Sequence, residues 1–184
     1  SHLPVSLREI ACNKPLGVFK RFAIGFAAFK HKSDVPNFSV AAFATVNPKK
    51  LAKSAGKLDK IKYGVADAKS YEGKFDYIAF FDCLHDMGDP VGAAKYAYEH
   101  LNDDGSVILI EPTANDKPEE NFNIFGQMYY SFSTMACIPT SKSQEVGLSL
   151  GAQAGPAKLT EVLKDAGFQE CKIVKKNASN MVLE

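Results

Sequence analysis

A cluster of side chains that could do acid–base chemistry follows one apolar run of this sequence. Asp82, Cys83, His85 and Asp86 come directly after Tyr77–Phe81, a run without polar alternation. Such a run is typical of a strand that is buried on both faces, as in a parallel sheet. Because open α/β sheets bind ligands beyond the carboxyl ends of their strands, we expect these side chains to lie at a functional edge.

His85 is the member of this cluster best suited to proton transfer, because an ordinary imidazole titrates near pH ~6.5. Asp86 or Asp89 could orient its ring, and the alternative is that His85 only caps the turn between strand and helix. Cys83 could act as a nucleophile, but a packed and inert thiol is the expected state. Asp82 either accepts a hydrogen bond from a ligand or satisfies N–H groups of the turn.

The elements that must position this cluster alternate between strands and helices. The apolar stretch 18–29 predicts a strand near its start and a helix after Gly25. Hydrophobic patterns and turn residues predict the other elements. We expect strands over 38–45, 61–66, 77–81, 106–110, 168–174 and 180–183, and helices over 49–57, 91–101, 123–135 and 157–166.

Alternating strands and helices predict the α/β class, with a Rossmann-like, doubly wound and mainly parallel sheet. The short connection between the last two strands predicts an antiparallel hairpin at the C-terminal edge. Residues 1–17 contain Pro4, Pro15 and Gly17 and are interpreted as an N-terminal extension or linker. Residues 18–184 would then form one domain.

Composition excludes several classes of protein. Of 184 residues, 46% are hydrophobic and 23% are charged, which is typical of a globular chain. A net charge of +1 gives no drive toward nucleic acid, and the lysines around 49–57 are interpreted as a solvated helix face. No apolar run approaches the ~20 residues of a membrane span. Four scattered cysteines predict reduced thiols in the cytoplasm and no metal site.

The aromatic and Met-rich stretch 123–135 predicts a helix over the carboxyl edge of the sheet. Its side chains, with Tyr129 and Tyr130 among them, either wall an apolar ligand pocket or pack into the core. Both roles fit one helix, because one face can pack while the other lines a pocket.

Four blocks of the sequence resemble the class I S-adenosylmethionine-dependent methyltransferases. The blocks occur in the family's order over about 60–184, and they are most similar to bacterial-type enzymes that carry a winged-helix region ahead of the catalytic domain. A sheet that ends in a hairpin is also the family's layout. The blocks are KFDYIAFFDCLHDMGDP, HLNDDGSVILIEP, SQEVGLSLGAQAG and LTEVLKDAGFQECKIV.

The resemblance implies S-adenosylmethionine as cofactor and assigns roles to individual positions. Asp67 and Ala68 would lie near the adenine, while Asp82 and Cys83 would line the cofactor. His85 matches the histidine that serves as general base in small-molecule O-methyltransferases, although the block here ends in Met87 instead of Trp. Glu111, after the next strand, would face the substrate.

The N-terminal third departs from the family pattern. A glycine-rich loop normally follows the first strand, and only Gly25 remains of it here. Ala44 stands where an acid normally holds the ribose hydroxyls. Three interpretations stay open: a non-catalytic relative, an altered cofactor grip, or a sequence before about residue 58 that differs from that of the protein itself.

We therefore expect methyl transfer to a small-molecule acceptor, for which a hydroxyl is one candidate, with His85 as general base. The alternative is a non-catalytic binding or interaction protein of the same fold. A nicotinamide-dependent oxidoreductase is a weaker interpretation, because it also needs a glycine loop and the closing hairpin argues against it. No nucleic-acid or membrane partner is expected, and the resemblance allows a homodimer.

Overall fold

A computed structural model describes residues 66–184 in full and, before them, the backbone of three strands. The described residues form a sheet in the order β3-β2-β1-β4-β5-β7-β6. The predicted extension 1–17 and the predicted helix 49–57 lie outside the described residues. The strands are β1 Gly25–Lys30, β2 Ser39–Ala44, β3 Ile61–Gly64, β4 Phe75–Phe81, β5 Leu101–Pro112, β6 Ile173–Lys176 and β7 Asn180–Leu183.

Most strands of this sheet run in one direction, as the sequence predicted. β2 is parallel to β3 and β4 is parallel to β5, while β7 is antiparallel to both of its neighbours. β1 is antiparallel to β2 and to β4, so β1 and β7 run opposite to the other described strands. The mainly parallel α/β sheet is confirmed, and the reversal of β1 is an addition to it.

The helix predicted after Gly25 is wrong, because residues 25–30 form β1. Periodicity alone cannot distinguish a short apolar helix from a strand that is paired on both sides. Here β1 pairs along its length with both β2 and β4, which satisfies its backbone polar groups.

The C-terminal hairpin is antiparallel, as predicted, but β7 inserts between β5 and β6. The edge strand is therefore β6, and it begins later than expected, at Ile173. Lys175 and Lys176 are exposed on this strand. Charged side chains on an edge strand discourage pairing with another chain.

Two helices cover one face of the sheet, and their ends follow the sequence signals. α1 spans Pro90–Glu99, and the Asp89 side chain caps it by accepting from the Gly92 N–H at 2.8 Å. A later helix, Pro156–Asp165, begins with proline as predicted and is followed by Gly167 at φ 110°. Apolar residues of both helices, including Ala94, Leu159 and Leu163, pack with β4 and β5 in the main core.

The stretch predicted as one helix over 123–135 consists of three consecutive segments. α2 spans Ile124–Phe132, a π-helical turn spans Ser133–Cys137, and α3 spans Ile138–Lys142. The helix Pro156–Asp165 is then α4. Within the described part of the chain, no helix is long and apolar enough to cross a membrane.

Candidate active site

The chain leaves the sheet abruptly at the carboxyl end of β4. The Asp82 N–H still bonds to the Ile110 carbonyl at 2.7 Å, but its φ of 53° turns the backbone out of the strand. Aspartate tolerates this left-handed conformation better than most residues. A single 3₁₀ turn, Leu84–Asp86, follows and carries His85 back toward β5.

The Glu111 side chain on β5 bonds to this turn. Its side chain is 1% exposed. One carboxylate oxygen accepts from the Leu84 N–H at 2.9 Å, and the other contacts His85 Nδ1. The parallel register pairs Phe81 with Ile110, so the residues that follow these two lie side by side. Both oxygens of a buried carboxylate therefore have partners, as burial of a charge requires.

The other ring nitrogen of His85 faces Asp86 and Cys137. His85 Nε2 lies 3.3 Å from Asp86 Oδ1. That oxygen makes no hydrogen bond among the residues the structure describes, so the contact is electrostatic and not an aligned hydrogen bond. The Cys137 thiol, on the π-helical turn, is also hydrogen-bonded to the ring. His85 is consequently enclosed, and its residue is 4% exposed.

Opposing effects set the pKa of His85. Burial disfavours the imidazolium, but the negative charge of Glu111, the hydrogen bonds to Cys137 and Glu111, and the charge of Asp86 outweigh it. The pKa of His85 is therefore raised well above its ordinary value. At neutral pH the ring carries a positive charge between two carboxylates.

Cys83 is a packed thiol, as the sequence predicted. Its residue is 0% exposed, and burial, with Glu111 as the next cause, raises the pKa of Cys83 well above its usual range. Nucleophilic cysteines need the thiolate, so this site lacks that chemistry. Among the described residues Cys83, Cys137 and Cys171 form no disulfide.

Asp86 and Asp89 were the acids proposed to orient His85, and of these two only Asp86 lies beside the ring, with Oδ1 3.3 Å from Nε2. Asp89 instead caps α1 and pairs with Lys69 at 3.0 Å. Glu111, 26 residues away in the chain, takes the orienting position. Asp89 is the N-cap of α1, and the alternative that His85 only caps the turn between strand and helix stays untested.

Most of the residues predicted to bind cofactor lie at one edge of the sheet. Gly25 pairs with Phe81 and with Ala44, which places it beside the carboxyl ends of β4 and β2. Asp67 and Ala68 follow β3, and Lys69 next to them forms the ion pair with Asp89 at the start of α1. Asp67 is exposed and its carboxylate accepts from the Lys69 N–H at 2.8 Å. Asp82 is exposed, whereas the buried Cys83 can offer this edge only its backbone.

The three residues predicted on the substrate side have different surroundings. Glu111 is enclosed and holds the His85 turn, so its carboxylate does not face solvent. The Tyr129 hydroxyl donates to the Ser179 carbonyl at 3.0 Å, in the turn between β6 and β7. Tyr130 is 39% exposed and lines a groove of about 490 Å³ with Asn121, Phe122, Asn123 and Gln127.

Sequence reasoning missed three residues that build this site: Cys137, Ser141 and Gln144. Cys137 contacts the His85 ring, while Ser141 and Gln144 bond to the backbone of residues 86–88. The blocks of family likeness include Gln144, but nothing in the sequence gave it a role. Two sets of side chains around His85 have polar atoms within 4.8 Å of one another, namely His85 with Asp86 and Cys137, and His85 with Asp82 and Glu111. The prediction of no metal site stays untested.

A model of the family described as "Methyltransferase domain" matches residues 21–172. The chain belongs to this methyltransferase family. No curated protein matches the sequence.

Three solved structures illustrate the fold that this chain shares. An O-methyltransferase family protein from Burkholderia thailandensis is 14% identical, with a TM-score of 0.53 over 73% of this chain and 38% of that one. PigF with SAH is 16% identical, with a TM-score of 0.53 and the same shares of each chain. The mitomycin 7-O-methyltransferase MmcR is 14% identical, with a TM-score of 0.51 over 73% of this chain and 37% of that one. This methyltransferase-family chain thus spans less than two fifths of the length of these structures.

Proposed function

We propose that this chain transfers a methyl group from S-adenosylmethionine to a hydroxyl of a small-molecule acceptor, with His85 as general base. The single observation that carries the proposal is the buried Glu111–His85 pair at the carboxyl end of β4. A carboxylate on Nδ1 fixes the ring and its tautomer, which is how a general base is oriented in enzymes.

Nε2 is the ring atom that would receive the acceptor's proton, because Glu111 occupies Nδ1. The raised pKa means that the ring must first release a proton before it can accept one. We therefore expect methyl transfer to accelerate as the pH rises above neutral. The acceptor must also reach a ring whose residue is only 4% exposed.

The described residues fit the cofactor on the β4 side of the site. The exposed carboxylate of Asp82 and the backbone at Cys83 would hold it there, with Asp67 and Ala68 at the adenine end. The cofactor supplies a methyl group bound to positively charged sulfur. The chain's own part is to hold donor and acceptor in line and to remove the hydroxyl proton.

One observation favours the alternative of a non-catalytic methyltransferase-fold protein. Because β1 is antiparallel to β4, its carboxyl end at Lys30 lies at the opposite edge of the sheet from Asp82. The connection that follows β1 therefore starts away from the candidate site, and only Gly25 at the start of β1 lies beside it. In the family, the cofactor loop follows the carboxyl end of the first strand, and that end of β1 does not lie beside the candidate site.

The remaining expectations are proposals of the same kind. The described cysteines, which form no disulfide, fit a reducing compartment, and we propose the cytoplasm. Pairing of two copies into a homodimer is an expectation from the resemblance.

Binding and catalysis are tested separately. Calorimetric titration with S-adenosylmethionine should give micromolar binding that weakens about 10-fold or more in Asp82→Ala, the loss of a charge-assisted hydrogen bond. Asp76→Ala, at the other end of β4, is the matched control and should bind as wild type. Absence of binding, with the intact mass confirmed, would support the non-catalytic alternative.

Catalysis is then followed with methyl-labelled cofactor and a panel of phenols and aliphatic alcohols. His85→Asn should lower the rate by about 10²–10⁴-fold, the usual contribution of a general base. His100→Asn, which removes a partly buried imidazole from the end of α1, should leave it unchanged. Equal rates in the two variants would remove His85 from the mechanism.

A further inference from the structure

The backbone of the turn that carries His85 is bonded to a distant segment of the chain. The 3₁₀ turn Leu84–Asp86 continues through Met87 to Gly88. Each of residues 85–88 has a main-chain carbonyl that accepts a hydrogen bond from a residue within 141–151. The bonds run from the Gly151 N–H to the His85 carbonyl at 3.2 Å, from Gln144 Nε2 to the Asp86 carbonyl at 3.1 Å, from the Ser141 hydroxyl to the Met87 carbonyl at 2.7 Å, and from the Leu148 N–H to the Gly88 carbonyl at 2.9 Å.

The Gln144 amide makes two bonds to this backbone, one as acceptor and one as donor, and no other side chain of its length can do both. Its Oε1 accepts from the Gly88 N–H at 3.0 Å, while its Nε2 donates to the Asp86 carbonyl. One amide therefore bridges both sides of Met87. A glutamate could accept from Gly88 but could not donate to Asp86, because an ionised carboxylate is an acceptor only.

The turn has little structure of its own to resist displacement. Within it, the Asp86 N–H bonds to the Cys83 carbonyl and the Met87 N–H to the Leu84 carbonyl, both at 3.2 Å. These lengths are at the weak end of the range for such bonds. The position of His85 therefore depends on bonds from outside the turn.

We infer that Gln144 is a positioning residue, which fixes the His85 ring against Glu111 by bridging the backbone of Asp86 and Gly88. This inference rests on the proposed function for its catalytic consequence only. Because a displacement of about 1 Å at a reacting group can lower a rate by about 10²-fold, loss of the bridge should lower kcat. Cofactor affinity should not change, since Gln144 contacts none of the residues proposed to bind it.

The test uses three single variants of the full chain. Gln144→Leu removes both bonds to the turn, and with them a local bond from Nε2 to the Thr140 carbonyl at 3.1 Å. Gln144→Glu removes only the Nε2 donor, and Gln169→Leu, which also removes a local amide bond, is the control. Gln144 and Gln169 are both exposed, so these substitutions leave the core intact. The Gln169 amide bonds locally to the Gly167 carbonyl at 3.3 Å, far in sequence from the turn.

The first readout needs no substrate. With isotope-labelled histidine, the His85 ring signals are assigned by their loss in His85→Asn and are compared between variants at one pH. We expect them to move in Gln144→Leu, to move less in Gln144→Glu, and to stay in place in Gln169→Leu. Unmoved His85 signals in Gln144→Leu would overturn the inference.

The second readout is turnover with the acceptor that gives the highest rate. Gln144→Leu should lower kcat by about 10–10²-fold with an unchanged KM for S-adenosylmethionine. If His85→Asn retains full activity, the proposed base is wrong, but the ring signals still decide whether Gln144 positions His85. Wild-type kcat in Gln144→Leu, alongside a large loss in His85→Asn, would contradict the positioning role.

Discussion

His85 and Glu111 meet across β4 and β5, with the imidazole Nδ1 against one carboxylate oxygen and the Leu84 N–H against the other. Their residues are 4% and 1% exposed. A buried ion pair of this kind costs desolvation free energy for both partners, and the hydrogen bond to Leu84 offsets part of it. The pair is therefore stronger evidence for a functional site than for added stability. Its effect on the free energy of unfolding and the charge of His85 can both be tested.

Glu111→Gln should destabilise the protein strongly. The substitution keeps the shape of the side chain but removes the charge that faces the buried imidazolium, and breaking a buried pair typically costs about 3–5 kcal/mol. Urea denaturation measures the change in the free energy of unfolding. Glu119→Gln, at an exposed position, should stay within about 0.5 kcal/mol of wild type. Equal stabilities of the two variants would mean that Glu111 and His85 are not a charged pair.

The stability that His85 contributes should depend on pH in a defined direction. Its pKa is raised in the folded state by Glu111, so the folded protein holds a proton that the unfolded chain releases above pH ~6.5. The contribution is complete below that pH and is lost as the pH rises through the folded pKa. The slope cannot exceed about 1.4 kcal/mol per pH unit for one proton.

This dependence is measured as the difference in unfolding free energy between wild type and His85→Asn from pH 6 to pH 10. We expect the difference to shrink steadily as the pH rises, at constant ionic strength. His100→Asn is the control, because it measures how the loss of a partly buried ring at the end of α1 changes the unfolding free energy. A difference that is flat or grows with pH would show that the folded ring is not the charged form.

Gly88→Ala should disturb both stability and the site. A Cβ at this position would lie 2.5 Å from Gln144 Cβ and 2.5 Å from the Glu145 carbonyl oxygen, so the two segments would have to separate. Overpacking of this kind costs about 1–3 kcal/mol. The measurements are thermal unfolding and the His85 ring signals, both of which should change.

Gly167→Ala separates backbone strain from this close approach. Its φ of 110° disfavours alanine, but the nearest atom to an added Cβ lies at 3.4 Å. We expect a loss of about 1–2 kcal/mol from the conformation alone, with His85 signals as in wild type. If Gly88→Ala also left those signals in place, contact between the turn and residues 141–151 would not control the ring.

The sequence predicts correctly those elements whose local signals agree with their packing. The apolar run before Asp82 predicted β4, Pro156 and Gly167 bounded α4, and Asn180–Leu183 predicted β7 residue for residue. It also placed His85 and Asp82 correctly at the carboxyl edge of β4. These inferences succeed because hydrophobic period and turn chemistry act over a few residues.

Three features depend on contacts between distant parts of the chain: the direction of β1, the edge position of β6 and the partners of His85. The stretch 25–30 has no periodicity that separates helix from strand, and pairing with β2 and β4 resolved it. Glu111 and Cys137 lie 26 or more residues from His85 in the chain and contact its ring through strand register and helix packing. Gln144 is equally distant in the chain and contacts the neighbouring residue Asp86. Contacts between distant residues leave no local pattern. The sequence therefore indicated Asp86, which lies beside Nε2, but not Glu111, which bonds to Nδ1 from the neighbouring strand.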